Sequence, residues 1–282
     1  MATFYNRATL SYSGGTVNSN TTTGELLEVL SASKTAVIEE YSQGSEITYA
    51  INIVNSGTSA FTGLTLTDDL GAYAFGTETL VPLEYVEGSV KYFVDGSLAP
   101  TPAAEAGPPL VISGITVPAG GVVTILYTVR VNSFAPPVEG GTIENTAVIG
   151  GGGIENITVT ETVTAEREPI LDITKSISPT TVEENGRITY TFIIRNLGSA
   201  EATEEDDIIL TDNFDPILSG ITVTYNGDIW DATNYTYNEA TGEFATVEGE
   251  ITVPAATYMQ NETTGEWETD PGTVIITVTG TI

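Results

Sequence analysis

Short runs rich in Val, Ile, Thr and Tyr recur along the chain, separated by clusters of Gly, Asn, Asp and Pro. Ile47-Thr48-Tyr49-Ala50-Ile51-Asn52-Ile53 alternates with period two, as do Val123–Val129 and Val274–Val278. Period two places successive side chains on opposite faces of a strand, and the intervening residues are turn formers. Helical spacing is weak throughout. The pattern predicts an all-β chain of antiparallel Ig-like sandwiches, each sheet burying one face.

The runs repeat in order. Leu30-Ser31-Ala32-Ser33-Lys34 matches Leu171-Asp172-Ile173-Thr174-Lys175, and Ile47-Thr48-Tyr49 matches Ile188-Thr189-Tyr190. Asn55-Ser56-Gly57 matches Asn196-Leu197-Gly198, and Leu64–Asp68 matches Ile208–Asp212. Ile115-Thr116-Val117-Pro118-Ala119 matches Ile251-Thr252-Val253-Pro254-Ala255, and Gly121–Val131 matches Gly272–Ile282. The blocks define two tandem copies of one sandwich, repeat 1 over 27–165 and repeat 2 over 166–282, behind a leading segment 1–26.

The copies are unequal. Repeat 1 goes on through Thr142–Ile149, a Gly150–Gly153 turn and Asn156–Thr160, which reads as a closing β-hairpin; repeat 2 has no such stretch before Ile282. A hairpin of the same kind opens the chain, Phe4–Tyr12, a Gly14-Gly15 turn, then Thr16–Thr21, with Asn6-Arg7-Ala8 aligned on Asn145-Thr146-Ala147. Phe4, Asn6, Ala8, Leu10 and Tyr12 share one strand face. An unfinished sandwich presents unpaired edges, and a lone hairpin is marginal. The expectation is that the hairpin of one copy completes repeat 2 of the next, a head-to-tail homopolymer. Fold-back closure within one chain is disfavoured by the short linker Ala165–Pro169.

These blocks resemble the bacterial surface repeat called domain of unknown function eleven: the Lys near the first strand, Ile-Thr-Tyr followed by Asn-x-Gly, Leu-Thr-Asp, Val-Pro-Ala, and the closing Asn-Thr-Ala. The resemblance covers nearly the whole chain; repeat 2 departs by an insertion between Ala255 and Pro271 and by its missing hairpin. It implies a non-enzymatic, Ig-like part of a bacterial cell surface or clostridial endospore appendage, with a surface adhesin stalk or ligand-binding module as the alternative.

Composition narrows the chemistry. The 282 residues hold 8 Lys plus Arg against 38 Asp plus Glu, a formal net charge of −30, which argues against nucleic acid and anionic membranes as partners. There is no Cys and no His, which removes disulfides, thiolates and the commonest general base. No cofactor or metal site is expected. Met1–Arg7 is not a signal peptide and no run approaches a membrane helix, although a leader removed earlier stays open.

The chain has three lysines, Lys34, Lys91 and Lys175, two of them at equivalent repeat positions. Period-two counting puts Lys34 with Leu30, Ala32, Ala36 and Ile38, Lys175 with Leu171, Ile173 and Ile177, Asp68 with Leu64 and Leu66, and Asp212 with Ile208, Leu210 and Phe214. Asn145 lies with Ile143 and Ala147, and Asn6 with Phe4 and Ala8. Each completed unit thus aims a Lys, an Asp and an Asn at its core: Lys34, Asp68, Asn145, and Lys175, Asp212, Asn6 of a neighbour. Two readings fit. One is a buried ion-pair network. The other resembles bacterial pilin and adhesin domains, in which Lys and Asn condense to an isopeptide with an acid, here Asp68 or Asp212, as proton shuttle. Weaker signals are the acidic run Glu201 and Glu204–Asp207, read as a solvated loop rather than a calcium site; Tyr49 and Tyr190, read as core; and Trp230 and Trp267, read as a contact surface or as rings partly buried under a loop.

Overall fold

In a computed structural model, which describes residues 2–26 and 28–282, the chain is all-β: two β-sandwiches follow a leading hairpin. In the first sandwich, Glu46–Asn55 sits between Leu30–Ala36 and Val122–Val131, both antiparallel to it. Ile47, Tyr49, Ile51 and Ile53 are buried while the residues between them reach the surface, the alternation read from the sequence. The facing sheet carries Leu110–Val117, Phe61–Asp68, Thr142–Gly151 and Ile157–Ala165 in that order. Leu64, Leu66, Ile112 and Ile149 from this sheet meet Ile51 and Ile125 from the other in one core. Each such side chain contributes roughly 1.5–3 kcal/mol by leaving water.

The closing hairpin of repeat 1 extends one sheet and lies along the edge of the other. Thr142–Gly151 pairs with Phe61–Asp68, Ala147 opposite Asp68 and Gly151 opposite Leu64. The return strand Ile157–Ala165 packs against Leu30–Ala36 of the opposite sheet.

Repeat 2 keeps one sheet and loses most of the other. Leu171–Ser178, Arg187–Asn196, Gly272–Thr281 and Ser219–Tyr225 follow the order of their repeat 1 counterparts. The facing sheet has three short strands, Thr211–Asn213, Glu243–Thr246 and Tyr235–Tyr237. Two matched blocks are not strands here. Of Ile208–Asp212 just the last two residues pair, and Ile251–Ala255 makes a single bridge, Val253 with Ala202. The physical reason is the free edge: Asp68 has a strand on each side, Leu110 and Ala147 opposite it, whereas Asp212 has Phe244 on one side and no strand on the other among the described residues.

The leading segment folds as a long hairpin, Ala2–Asn6 with Thr22–Leu26 and Thr9–Tyr12 with Gly15–Asn18. Its tight turn is Ser13-Gly14, one residue earlier than expected, because Tyr12 pairs with Gly15, whose φ of 141° suits glycine. Asn6 faces Thr22 and Thr9 faces Asn18, so the return strand holds an extra residue and bulges there. Phe4 lies over Gly24, where an added Cβ would come within 2.3 Å of the ring. From Thr3 to Glu25 every residue but Gly24 is exposed, and neither core includes any of them.

The insertion in repeat 2 is a hairpin, Thr257–Gln260 with Trp267–Asp270, that reaches onto repeat 1. The Trp267 main-chain N–H donates to the Ser133 carbonyl at 2.9 Å, Trp267 lines a cleft with Tyr73, Pro82 and Pro136 of repeat 1, Gln260 Nε2 donates to Tyr73 Oη at 2.9 Å, and Gly265 abuts Leu80. Trp267 therefore marks a contact between the repeats, while Trp230 packs on Tyr225 over the second core. With the short linker Glu166–Ile170, this hairpin braces the two sandwiches against each other. Trp267→Ala combined with Gln260→Ala should broaden the distribution of distances between the sandwiches in small-angle scattering and speed proteolysis of 166–170. Each sandwich should keep its melting temperature, since neither side chain belongs to a core.

Candidate functional site

Lys34 projects from the middle of Leu30–Ala36, opposite Ile51. Its ammonium donates to Asp68 Oδ2 at 2.7 Å and to the main-chain carbonyl of Asn145 at 2.9 Å, and lies 4.7 Å from the centre of the Tyr49 ring. Both charged side chains are fully excluded from water. Asp68 sits at the end of its strand, where its Oδ1 accepts the Leu70 N–H at 2.9 Å. Asn145, from the closing hairpin, is also buried. The structure thus brings Lys34, Asp68 and Asn145 together. Ile38, assigned to the same face as Lys34, lies beyond the end of the strand and is exposed.

Neighbouring tyrosines complete the environment. Tyr127 Oη donates to Asp68 Oδ2, a contact that sequence reading missed. Its signal was present: Tyr127 falls where repeat 2 has Val278. Burial pushes the Tyr127 and Tyr49 hydroxyls well up. Burial also lowers the Lys34 ammonium, opposed by the adjacent Asp68 carboxylate. Neither amide atom of Asn145 has a hydrogen-bond partner, nor does Tyr49 Oη. An unpaired buried polar group costs about 1–3 kcal/mol. The trio is thus not a fully satisfied network, and it sets an amine of lowered basicity beside a carboxylate and an unengaged amide.

The equivalent site of repeat 2 is half-built. Lys175 pairs with Asp212, as Lys34 does with Asp68, and its ammonium lies 4.6 Å from the Tyr190 ring centre and 5.4 Å from those of Phe192 and Phe214. Counting placed this side chain toward a core that a neighbour would complete. In the single chain the Lys175 side chain is 41% exposed, and Leu171, Ile173 and Ile177 on its face are 40%, 50% and 39% exposed. Among the described residues nothing occupies the place that Thr142–Ala165 fills in repeat 1. Asn6 is far along the chain, exposed on the leading hairpin, and Phe4, Ala8, Leu10 and Tyr12 are exposed with it.

Other motif residues are structural. Asn55 donates through Nδ2 to the Ser59 and Pro118 carbonyls at 2.9 and 2.7 Å and accepts the Gly57 N–H. Asn196 does the same with Ala200 and Gly198. The Asn-x-Gly motif is thus a loop latch. Tyr49 and Tyr190 are core, and the acidic run forms an exposed 3-10 turn, Glu204–Asp206, capped by Thr203.

The chain matches no protein-family model and no curated protein. Among solved structures it is similar to the pilus backbone of Streptococcus pneumoniae, at 14% identity and TM-score 0.35 over 86% of this chain and 55% of that one. It is also similar to the major pilin subunit of Bacillus cereus, at 13% identity and TM-score 0.36 over 96% of this chain and 73% of that one. A collagen-binding domain from a Staphylococcus aureus adhesin aligns at 12% identity and TM-score 0.30 over 49% of this chain and 99% of that one. The chain spans just over half the length of the first of these.

Two outcomes follow. Lys34→Ala leaves Asp68 buried without its cation and should destabilise the first sandwich by roughly 3–5 kcal/mol in denaturant unfolding, whereas Lys175→Ala should cost the free chain far less. Burial raises the Tyr41, Tyr49 and Tyr127 hydroxyls in the folded state. Their contribution to stability is therefore complete below the unfolded tyrosine value near 10 and is lost as pH climbs past it. Lys34, lowered in the folded state, works in the opposite sense. Tyrosinate absorbance should show these three ionising only as the chain unfolds.

Proposed function

We propose that this chain is a structural subunit of a bacterial surface or spore appendage, polymerising head to tail when the leading hairpin of one copy closes the second sandwich of the next. The observation that carries the reading is a matched pair of uncovered surfaces. One is the Leu171, Ile173, Ile177 face beside the free edge of Thr211–Asn213; the other is the exposed hairpin bearing Phe4, Leu10 and Tyr12. Repeat 1 supplies the template, since its own hairpin occupies the corresponding place. Burying several such side chains at ~25 cal/mol per Å² gives several kcal/mol, with ladder hydrogen bonds added. The two surfaces differ, so the contact is heterologous and propagates as an open fibre unless a ring closes.

Charge fits this picture. Residues 1–26 carry one Arg and one Glu, within a chain of net charge −30. A neutral donor can approach an acidic subunit, while the bodies repel until salt screens them. In register with repeat 1, Ala8 would stand opposite Asp212 as Ala147 does Asp68, and Asn6 would meet Lys175. The unengaged Asn145 amide beside Lys34 supports condensation to an isopeptide within repeat 1, and the same chemistry between Lys175 and Asn6 would make the fibre covalent.

Removing residues 2–24 should abolish filaments in electron micrographs and leave the melting of both sandwiches unchanged. Filaments that persist would shift the reading to an adhesin stalk. Raising salt from low ionic strength should speed polymerisation severalfold. Asn6→Ala chains mixed with Lys175→Ala chains should give denaturant-resistant dimers, where the parent gives a ladder and either variant alone gives monomer.

A further inference from the structure

We propose that Lys175 and Asp212 form a latent site, inert in the free subunit and switched on when a neighbour's hairpin covers it; this rests on the donation described above. The chain contains its own comparison. Lys34 and Asp68 are sealed at 0% exposure in repeat 1, with Ala147 of the closing hairpin paired beside Asp68 and the Asn145 carbonyl on the ammonium. Lys175 and Asp212 hold the same positions on the same strands, at 41% and 16% exposure, with no such cover.

Every contact Lys175 makes in the free chain favours its cation. The Asp212 carboxylate, the faces of Tyr190, Phe192 and Phe214, and water all stabilise the ammonium. A protonated amine has no lone pair for attack. Covering the face withdraws water from both charges at once, and a desolvated pair can relax by moving the proton from Nζ to the carboxylate. Asp68 accepts the Tyr127 hydroxyl as well as the Lys34 ammonium, whereas position 278 is Val and Asp212 accepts Lys175 and the Asn213 N–H. The neutral Nζ then attacks Cγ of the neighbour's Asn6. The Nζ–Cγ bond forms, Asp212 relays a proton from Nζ to the departing nitrogen, the Cγ–Nδ2 bond breaks, and ammonia leaves, taking up the remaining proton as ammonium. Docking therefore precedes bonding, and a growing end stays unreacted until it is occupied.

The test uses full-length chains and peptide mapping of Lys175. Phe4→Ser with Leu10→Ser leaves Asn6, Lys175 and Asp212 in place, and both positions are exposed in the free chain, so folding is not at stake. This variant should remain monomeric with Lys175 unmodified, even at the concentration at which the parent polymerises. Parent filaments should show Lys175 joined to Asn6 with loss of one ammonia, and the joined peptide should appear after filament growth in a time course. A monomeric variant carrying the joined peptide, or joined peptide preceding filaments, overturns the ordering. Parent filaments with Lys175 unmodified overturn the latent site while donation stands. A parent that never polymerises at any salt overturns both.

Discussion

A sheet that is apolar on one face must have that face covered, and in this molecule the cover decides everything else. In repeat 1 it comes from the same chain: Thr142–Gly151 extends one sheet, Ile157–Ala165 lies against the other, and Lys34 and Asp68 are sealed between them. A buried pair of that kind is tolerable when its partners are all present and costly when one is missing. In repeat 2 the pair exists and the cover does not, so the same residues on the same strands meet water. The difference between the two sites is thus a difference of covering, with substitutions, Val278 for Tyr127 and Phe192 for Ile51, added to it.

That asymmetry connects to assembly through energetics rather than shape. The leading hairpin adds nothing to either core, and its apolar side chains gain nothing from facing solvent. A second body, the insertion hairpin 257–270, ties the repeats together through Trp267 and Gln260.

The period-two alternation made strands and their faces legible, and the matched blocks made the repeats legible. The meeting of Lys34, Asp68 and Asn145 followed from face counting alone. Alternation does not say whether anything lies opposite a face, and so Lys175 was assigned to a core that the chain does not close. It does not report strand length either: Ile208–Leu210 matches Leu64–Leu66 in sequence yet forms no strand, with Leu210 alone bonded to Thr246, because an edge without a neighbour shortens. Tyr127 was hidden because an inward Tyr in a strand reads as core, and its hydroxyl contact with Asp68 depends on a strand 59 residues away. The brace was hidden because an insertion appears in sequence only as a break in the repeat.

The most direct measurement is an electron cryomicroscopy map of the assembled protein, resolved well enough to trace side chains. The account predicts residues 2–26 of each copy lying along Thr211–Asn213 and over Leu171–Ser178 of the next, with Asn6 at Lys175. A map in which the second sandwich stays open, or in which the hairpin packs on its own subunit, would contradict it.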